Sequence, residues 1–229
     1  NRFNLPVQIL RKKIKEGGFG KIVMGTVRVR WCRTQKYYDS DPWRGTWALD
    51  GGVIANQASH HIDLLEWMLG EPVSVMAMNG TYLSKIEVDD TCAAIIRFKS
   101  GAIGIVEATT ATRPKDLEGS LSILGEKGSC VIGGFSVNRM EEWNFENESK
   151  ETRDEILQKY SENPPSVYGF GHIRYLESVI DSIQNDTHAL VDGLEGRKSL
   201  ELINAIYESV ETGKEVKLMF EPKWSKLGR

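Results

Sequence analysis

The sequence predicts an α+β fold: an open, mostly antiparallel β-sheet with helices on one face. Three observations carry the prediction. Apolar residues recur at helical spacing near both ends of the chain. The middle, residues 73–145, reads as successive strands rich in β-branched residues. Consecutive strands joined by tight turns mean an antiparallel or mixed sheet, since there is no room for a helical crossover.

The elements follow in order. Asn4 is a suitable N-cap and Pro6 falls in the first turn, where a missing N–H costs little. Val7, Leu10 and Ile14 share a face, and Gly17-Gly18 ends the helix. Residues 21–30 alternate as a strand. Residues 33–52 form a long polar, aromatic and glycine-rich connection, and long ordered loops tend to carry function. Residues 53–69 predict a helix whose Ile62, Leu65, Met68 and Leu69 face inward, stopped by Gly70 and Pro72. Strands are then expected over 73–83, 91–98, 102–110, 120–124, 129–132 and 140–145, with hairpins about Ser100-Gly101 and residues 125–128. Residues 146–168 predict a partly helical surface excursion. Two helices close the chain. The first is marked by Phe170, Ile173, Leu176, Val179 and Ile183. The second starts after Asp192, with Glu195 completing a capping box, and stops at Gly213. Both strands of the 91–110 hairpin are apolar at nearly every position (Ala93, Ala94, Ile95, Ile96; Ile103, Ile105, Val106). Such runs are expected where both faces are buried, which predicts a sheet-to-sheet contact between copies.

Composition excludes several classes. The 229 residues are 40% hydrophobic and carry a net charge of −3, so a folded core is affordable and no global attraction to nucleic acid or anionic membranes arises. No apolar run reaches membrane-spanning length. Cys32, Cys92 and Cys130 are odd in number and widely spaced, which fits reduced thiols in a cytoplasmic protein and no metal site. No Gly-x-Gly-x-x-Gly, P-loop or Gly-x-Ser-x-Gly occurs. The opening Asn1-Arg2-Phe3-Asn4 reads as a continuation of something longer.

Two stretches can carry chemistry. In the first, Gly51-Gly52 leads into Asn56 and His60, four apart and so on one helical face. An imidazole can take a proton from an alcohol at neutral pH, and an amide can orient it or a hydroxyl. The same residues also suit a plain helix start. In the second, Arg33, Tyr37, Tyr38, Trp43, Arg44 and Trp47 fall within one loop. Aromatic faces stack on rings and arginine forks bind carboxylate or phosphate, although such a loop can simply pack on itself. Arg113 and Lys115, in the 109–116 segment, fit a polar turn as well as an anion site.

The stretch from Asp50 to Gly70 resembles the glucose–fructose oxidoreductase / inositol dehydrogenase (Gfo/Idh/MocA) family. The residues that match are Gly51-Gly52, Asn56, His60, Ile62-Asp63 and Leu69-Gly70, with Val191-Asp192-Gly193 and residues 213–216 agreeing near the end. The resemblance implies an NAD-dependent oxidoreductase whose nucleotide domain and catalytic lysine lie outside this chain, which alone would be inert. It makes residues 1–18 the crossover helix from that nucleotide-binding domain and 19–229 a substrate-binding and oligomerising domain. It makes His60 and Asn56 the catalytic pair, and it brings in Arg2 as a candidate near the cofactor. The family's usual aspartate is here Asn56, so its proton relay cannot be copied. Asn56 together with Trp31–Thr34, Trp43–Trp47 and Thr109–Asp116 is most similar to the family's bacterial branch that oxidises C3 of UDP-N-acetylglucosaminuronate in lipopolysaccharide O-antigen synthesis. A nucleotide-sugar substrate, held by Arg33, Tyr37, Trp43 and Arg44, and a homodimer or homotetramer through the sheet are then expected. The alternatives are a dehydrogenase of a free sugar or cyclitol, and a non-catalytic oligomerisation module.

Overall fold

A computed structural model describes residues 1–161, 170–219 and 227. Eight strands form one sheet: β1 (Ile22–Arg30), β2 (Pro72–Gly80), β3 (Thr91–Phe98), β4 (Ile103–Thr109), β5 (Glu118–Gly125), β6 (Gly128–Gly133), β7 (Arg139–Phe145) and β8 (Val216–Lys217). Their spatial order is β7-β6-β5-β1-β4-β3-β2-β8. Every pairing is antiparallel except β1 with β4. The six helices are α1 (Leu5–Lys15), α2 (Gln35–Tyr38), α3 (Ser59–Leu69), α4 (Lys150–Lys159), α5 (Gly171–Asn185) and α6 (Gly193–Thr212). No helix among the described residues is long and apolar enough to cross a membrane.

The two faces of the sheet differ, as strand alternation requires. One row of cross-strand partners runs Ala77, Ala94, Val106, Val27, Leu121, Ile132, and all six are buried. This face carries α1, α3 and α6. The α3 helix approaches closely because β1 has Gly25, where a Cβ would sit 2.5 Å from Leu69 and 2.9 Å from Leu65. Ile62, Leu64, Leu65 and Met68 fill the gap, each contributing roughly 1.5–3 kcal/mol of burial.

The neighbouring row on the other face runs Met76, Ile95, Ile105, Thr26, Ser122, Val131. On this face the cover expected from the sequence is a second copy of the chain. Within the chain Ile95 is 58% exposed and Met78 72%, with Met76, Ile103 and Leu124 also open. The open apolar strip is flanked by Arg28 and Arg30 paired with Glu107 and Glu118.

Smaller departures have local causes. The helix expected over 53–69 begins only at Ser59, because residues 53–57 form irregular turns over the glycine pair. Asn4 does not cap α1 with its side chain, whose Nδ2 is drawn instead to the carbonyls of Ser136 and Val137. Asp192 does cap α6, accepting from the N–H groups of Leu194 and Glu195 at 2.9 Å, but Glu195 turns to Arg2 and Lys198 rather than closing a box. The surface excursion contains α4, and its residues 162–169 lie outside the described residues. No residue of α5 is buried, and its stripe of Ile173, Leu176, Ile180 and Ile183 faces solvent.

Candidate functional site

The glycine pair is held from below. Gly52 donates its N–H to the Tyr207 hydroxyl at 3.0 Å, and Val53 donates to the Asp89 carbonyl at 3.1 Å. A Cβ on Gly52 would lie 1.9 Å from an Asp89 carboxylate oxygen. The glycine therefore makes room for a buried side chain of its own protein. Burial pushes the Asp89 carboxyl up to about 6. Above this floor the Asn56 N–H closes a turn onto the Gly52 carbonyl at 3.1 Å, and the Ser59 hydroxyl donates to the Asn56 carbonyl at 2.9 Å. Asn56 thus precedes α3, while His60 lies in its first turn.

The two adjacent histidines have opposite surroundings. His60 keeps solvent access and has no hydrogen-bond partner among the described residues. Partial burial lowers its pKa, so at neutral pH it is an uncharged imidazole able to accept a proton. His61 is sealed, with both ring nitrogens unpartnered, and packs edge-on against Trp31 at 5.9 Å. Burial drives its pKa down to about 3.

The aromatic and basic loop is a genuine cluster. The Arg44 guanidinium carbon lies 4.3 Å from the Tyr37 ring centre and 4.4 Å from that of Trp43, and Arg44 Nη1 donates to the Tyr37 hydroxyl at 2.6 Å. Arg33 lies 5.4 Å from Tyr37 and 5.3 Å from Trp31. Each guanidinium has one carboxylate, Arg33 with Asp116 at 3.1 Å and Arg44 with Asp41 at 2.9 Å. These contacts use Arg33 Nη1 and Arg44 Nε and Nη1, which leaves Nη2 of both arginines without a partner among the described residues. Arg113 is exposed and donates to the Thr110, Thr112 and Arg33 carbonyls, as in a polar turn.

Trp31 joins the two halves, with Arg33 on one side and His61 on another. Asp50 joins them a second time, accepting from the Gly45 N–H at 2.6 Å and from the Asn56 amide. The roles of Asp50, Asp89 and Tyr207 were not foreseen. Asp89 and Tyr207 act across sequence separations that no local pattern encodes, whereas Asp50 directly precedes the glycine pair and bonds residues five and six away.

Arg2 is committed elsewhere. It donates to Asp63 at 2.9 and 2.7 Å and to Glu195 at 2.8 Å, and lies 5.0 Å over Trp67. Ser199 donates to the same Asp63 at 3.0 Å, so Arg2 ties together the starts of α1, α3 and α6. Arg2 is also the only one of the seven predicted residues lining a cavity of about 740 Å³ beside Arg11, Glu66 and Trp67.

A dinucleotide needs a parallel strand that turns through glycines into a helix N-terminus. The one parallel pair among the described residues is β1 with β4, and β1 runs into Trp31–Thr34 with no glycine. These residues do not fit NAD as its holder.

Known proteins resemble this chain over most of its length. Residues 11–218 match the family described as the oxidoreductase family, C-terminal alpha/beta domain. The structure is similar to the WlbA dehydrogenase from Bordetella pertussis in complex with NADH and UDP-GlcNAcA, with 43% identity and a TM-score of 0.90. That match covers 96% of this chain and 63% of the other. Levoglucosan dehydrogenase of Pseudarthrobacter phenanthrenivorans is 28% identical over 59% of this chain and 40% of its own. D-glucoside 3-dehydrogenase of Escherichia coli is 22% identical over 95% of this chain and 63% of its own. The chain therefore spans from two fifths to under two thirds of these relatives. It belongs to the Gfo/Idh/MocA oxidoreductase family, as that family's C-terminal alpha/beta domain.

Proposed function

We propose that this chain is the substrate-binding and oligomerising half of an NAD-dependent dehydrogenase that oxidises C3 of UDP-N-acetylglucosaminuronate. One observation carries the reading. Two arginines with unclaimed Nη2 donors flank Tyr37, and Trp31, against Arg33, links this loop through His61 to the helix start that carries an uncharged His60. A neutral sugar does not need two guanidiniums, whereas a uronate carboxylate and a pyrophosphate do. The 43% identity to a dehydrogenase that binds this nucleotide sugar supports the choice.

Oxidation of a secondary alcohol releases a hydride and a proton, and NAD supplies the hydride acceptor when bound. The dinucleotide is held by protein outside this chain. His60 takes the proton of the reacting hydroxyl, Asn56 accepts a hydrogen bond from a neighbouring hydroxyl of the sugar and so orients the ring, and Arg33 and Arg44 hold the anionic groups with Tyr37 and Trp43 as walls. Arg2 acts as a structural tie. The apolar stripe of α5 is where the nucleotide-binding part docks. The α5 start lies against residues 3 and 4, with Arg174 donating to the Phe3 carbonyl at 3.1 Å. The open sheet face, with Ile95 and Met78 in it, joins two copies of the chain.

The test is His60→Ala and His60→Asn in the full-length protein. Both should cut kcat by roughly 10²–10⁴-fold, the usual worth of a general base, with the melting temperature unchanged. A loss of stability in step with activity would make His60 a packing residue and overturn the assignment.

A further inference from the structure

Asp50 lies between the two parts of the site, and its two oxygens have separate duties. Oδ2 accepts from the Gly45 N–H at 2.6 Å, and Oδ1 accepts from the Asn56 side-chain Nδ2. An ionised carboxylate can only accept, so the Asn56 amide must turn its NH₂ toward Asp50. Asn56 Oδ1 is left with no partner among the described residues, and it is not sealed from solvent. From this arrangement we infer that Asp50 is a positioning residue that fixes Asn56 as a hydrogen-bond acceptor toward a substrate hydroxyl beside the reacting one. The inference rests on the dehydrogenase reading for the identity of the ligand, but not for the geometry.

It also accounts for the amide at a position where the family resemblance leads one to expect aspartate. A carboxylate at residue 56 would meet the Asp50 carboxylate at hydrogen-bond distance. Like charges that close cannot both stay ionised, and one would have to keep a proton. The amide removes that conflict. Because Gly45 directly follows Arg44, the same carboxylate sets the arginine loop against the hydroxyl-orienting group.

The experiment compares Asp50→Asn, Asn56→Asp and the double exchange Asp50→Asn/Asn56→Asp in the full-length protein. NAD⁺ reduction with UDP-N-acetylglucosaminuronate and the melting temperature are followed from pH 5 to 8. In Asp50→Asn the Gly45 N–H claims the new carbonyl, so the new NH₂ faces Asn56 and forces its amide to flip. Turnover should fall about tenfold or more while the melting temperature holds. Asn56→Asp should lose melting temperature as pH rises, because the folded pair holds a proton that the unfolded chain releases. The double exchange rebuilds both hydrogen bonds and the acceptor, so it should recover turnover to within about threefold of the parent and lose the pH dependence. Full activity in Asp50→Asn, or a double exchange no better than Asn56→Asp alone, would overturn the inference. If the parent does not oxidise the nucleotide sugar, the functional reading fails, and the inference then stands or falls on the pH-dependent melting difference.

Discussion

Replacing His61 by leucine should stabilise the protein, and more so in acid. The residue is about 1% exposed, and neither ring nitrogen has a partner. An unpaired buried polar atom costs about 1–3 kcal/mol, and the edge contact with Trp31 returns roughly 0.5–1.5. With two such nitrogens, His61→Leu therefore gains on the order of 0.5–5 kcal/mol at pH 7.5. The folded pKa of about 3 lies below the ordinary 6.5. Between those values the unfolded chain binds a proton that the folded chain refuses, so stability is complete above pH 6.5 and is lost as pH falls. The slope is about 1.4 kcal/mol per pH unit, or about 2 kcal/mol by pH 5. The parent alone hides this dependence. Burial raises Glu66 to about 7 and Asp89 to about 6, so their folded forms hold protons that the unfolded chain has released, and their slope is opposite. Subtracting parent from variant cancels both. Urea unfolding of the two proteins at pH 7.5 and 5.0 measures the difference. A difference unchanged between the two pH values, or a destabilised variant, would refute the picture of a sealed, unpaired imidazole.

Three other outcomes follow from the packing. Gly52→Ala places a carbon 1.9 Å from the Asp89 carboxylate and should cost about 2–4 kcal/mol in urea unfolding, as overpacking at a rigid floor does. Arg2→Met strands Asp63 and Glu195. The cost should be about 2–3 kcal/mol, below the 3–5 typical of sealed pairs, because those carboxylates keep 24% and 26% of their surface in water. Ile95→Lys places a charge in the middle of the open sheet face and should halve the mass seen by sedimentation equilibrium without unfolding the chain, whereas an unchanged mass would remove this face as an interface.

The fold was legible because its signals are local. The alternation of 21–30, the tight turns at Ser100-Gly101 and 125–128, and the Asp192 cap each specify a piece of backbone without reference to distant residues. The parallel pairing of β1 with β4 is not local, and nothing in either strand encodes it. Where the reading overreached, a long-range partner had intervened: Asn4 was drawn to Ser136 and Val137, and Glu195 to Arg2. The apolar hairpin predicts a contact between copies, because sequence reports how apolar a face is and a single chain leaves this one open. Of the site, the arginine and aromatic loop and the Asn56–His60 pair were visible as residue types at a spacing. What arranges them was not, because Asp50, Trp31 and Asp89 act through contacts made only once the chain has folded.

The most direct test is the initial rate of NAD⁺ reduction by the full-length protein, with UDP-N-acetylglucosaminuronate and with myo-inositol at equal concentration. The arginine cluster predicts turnover of the nucleotide sugar, with kcat/KM falling about tenfold or more in Arg44→Ala, and little or no turnover of the cyclitol. Preference for myo-inositol, with Arg44→Ala unaffected, would contradict it.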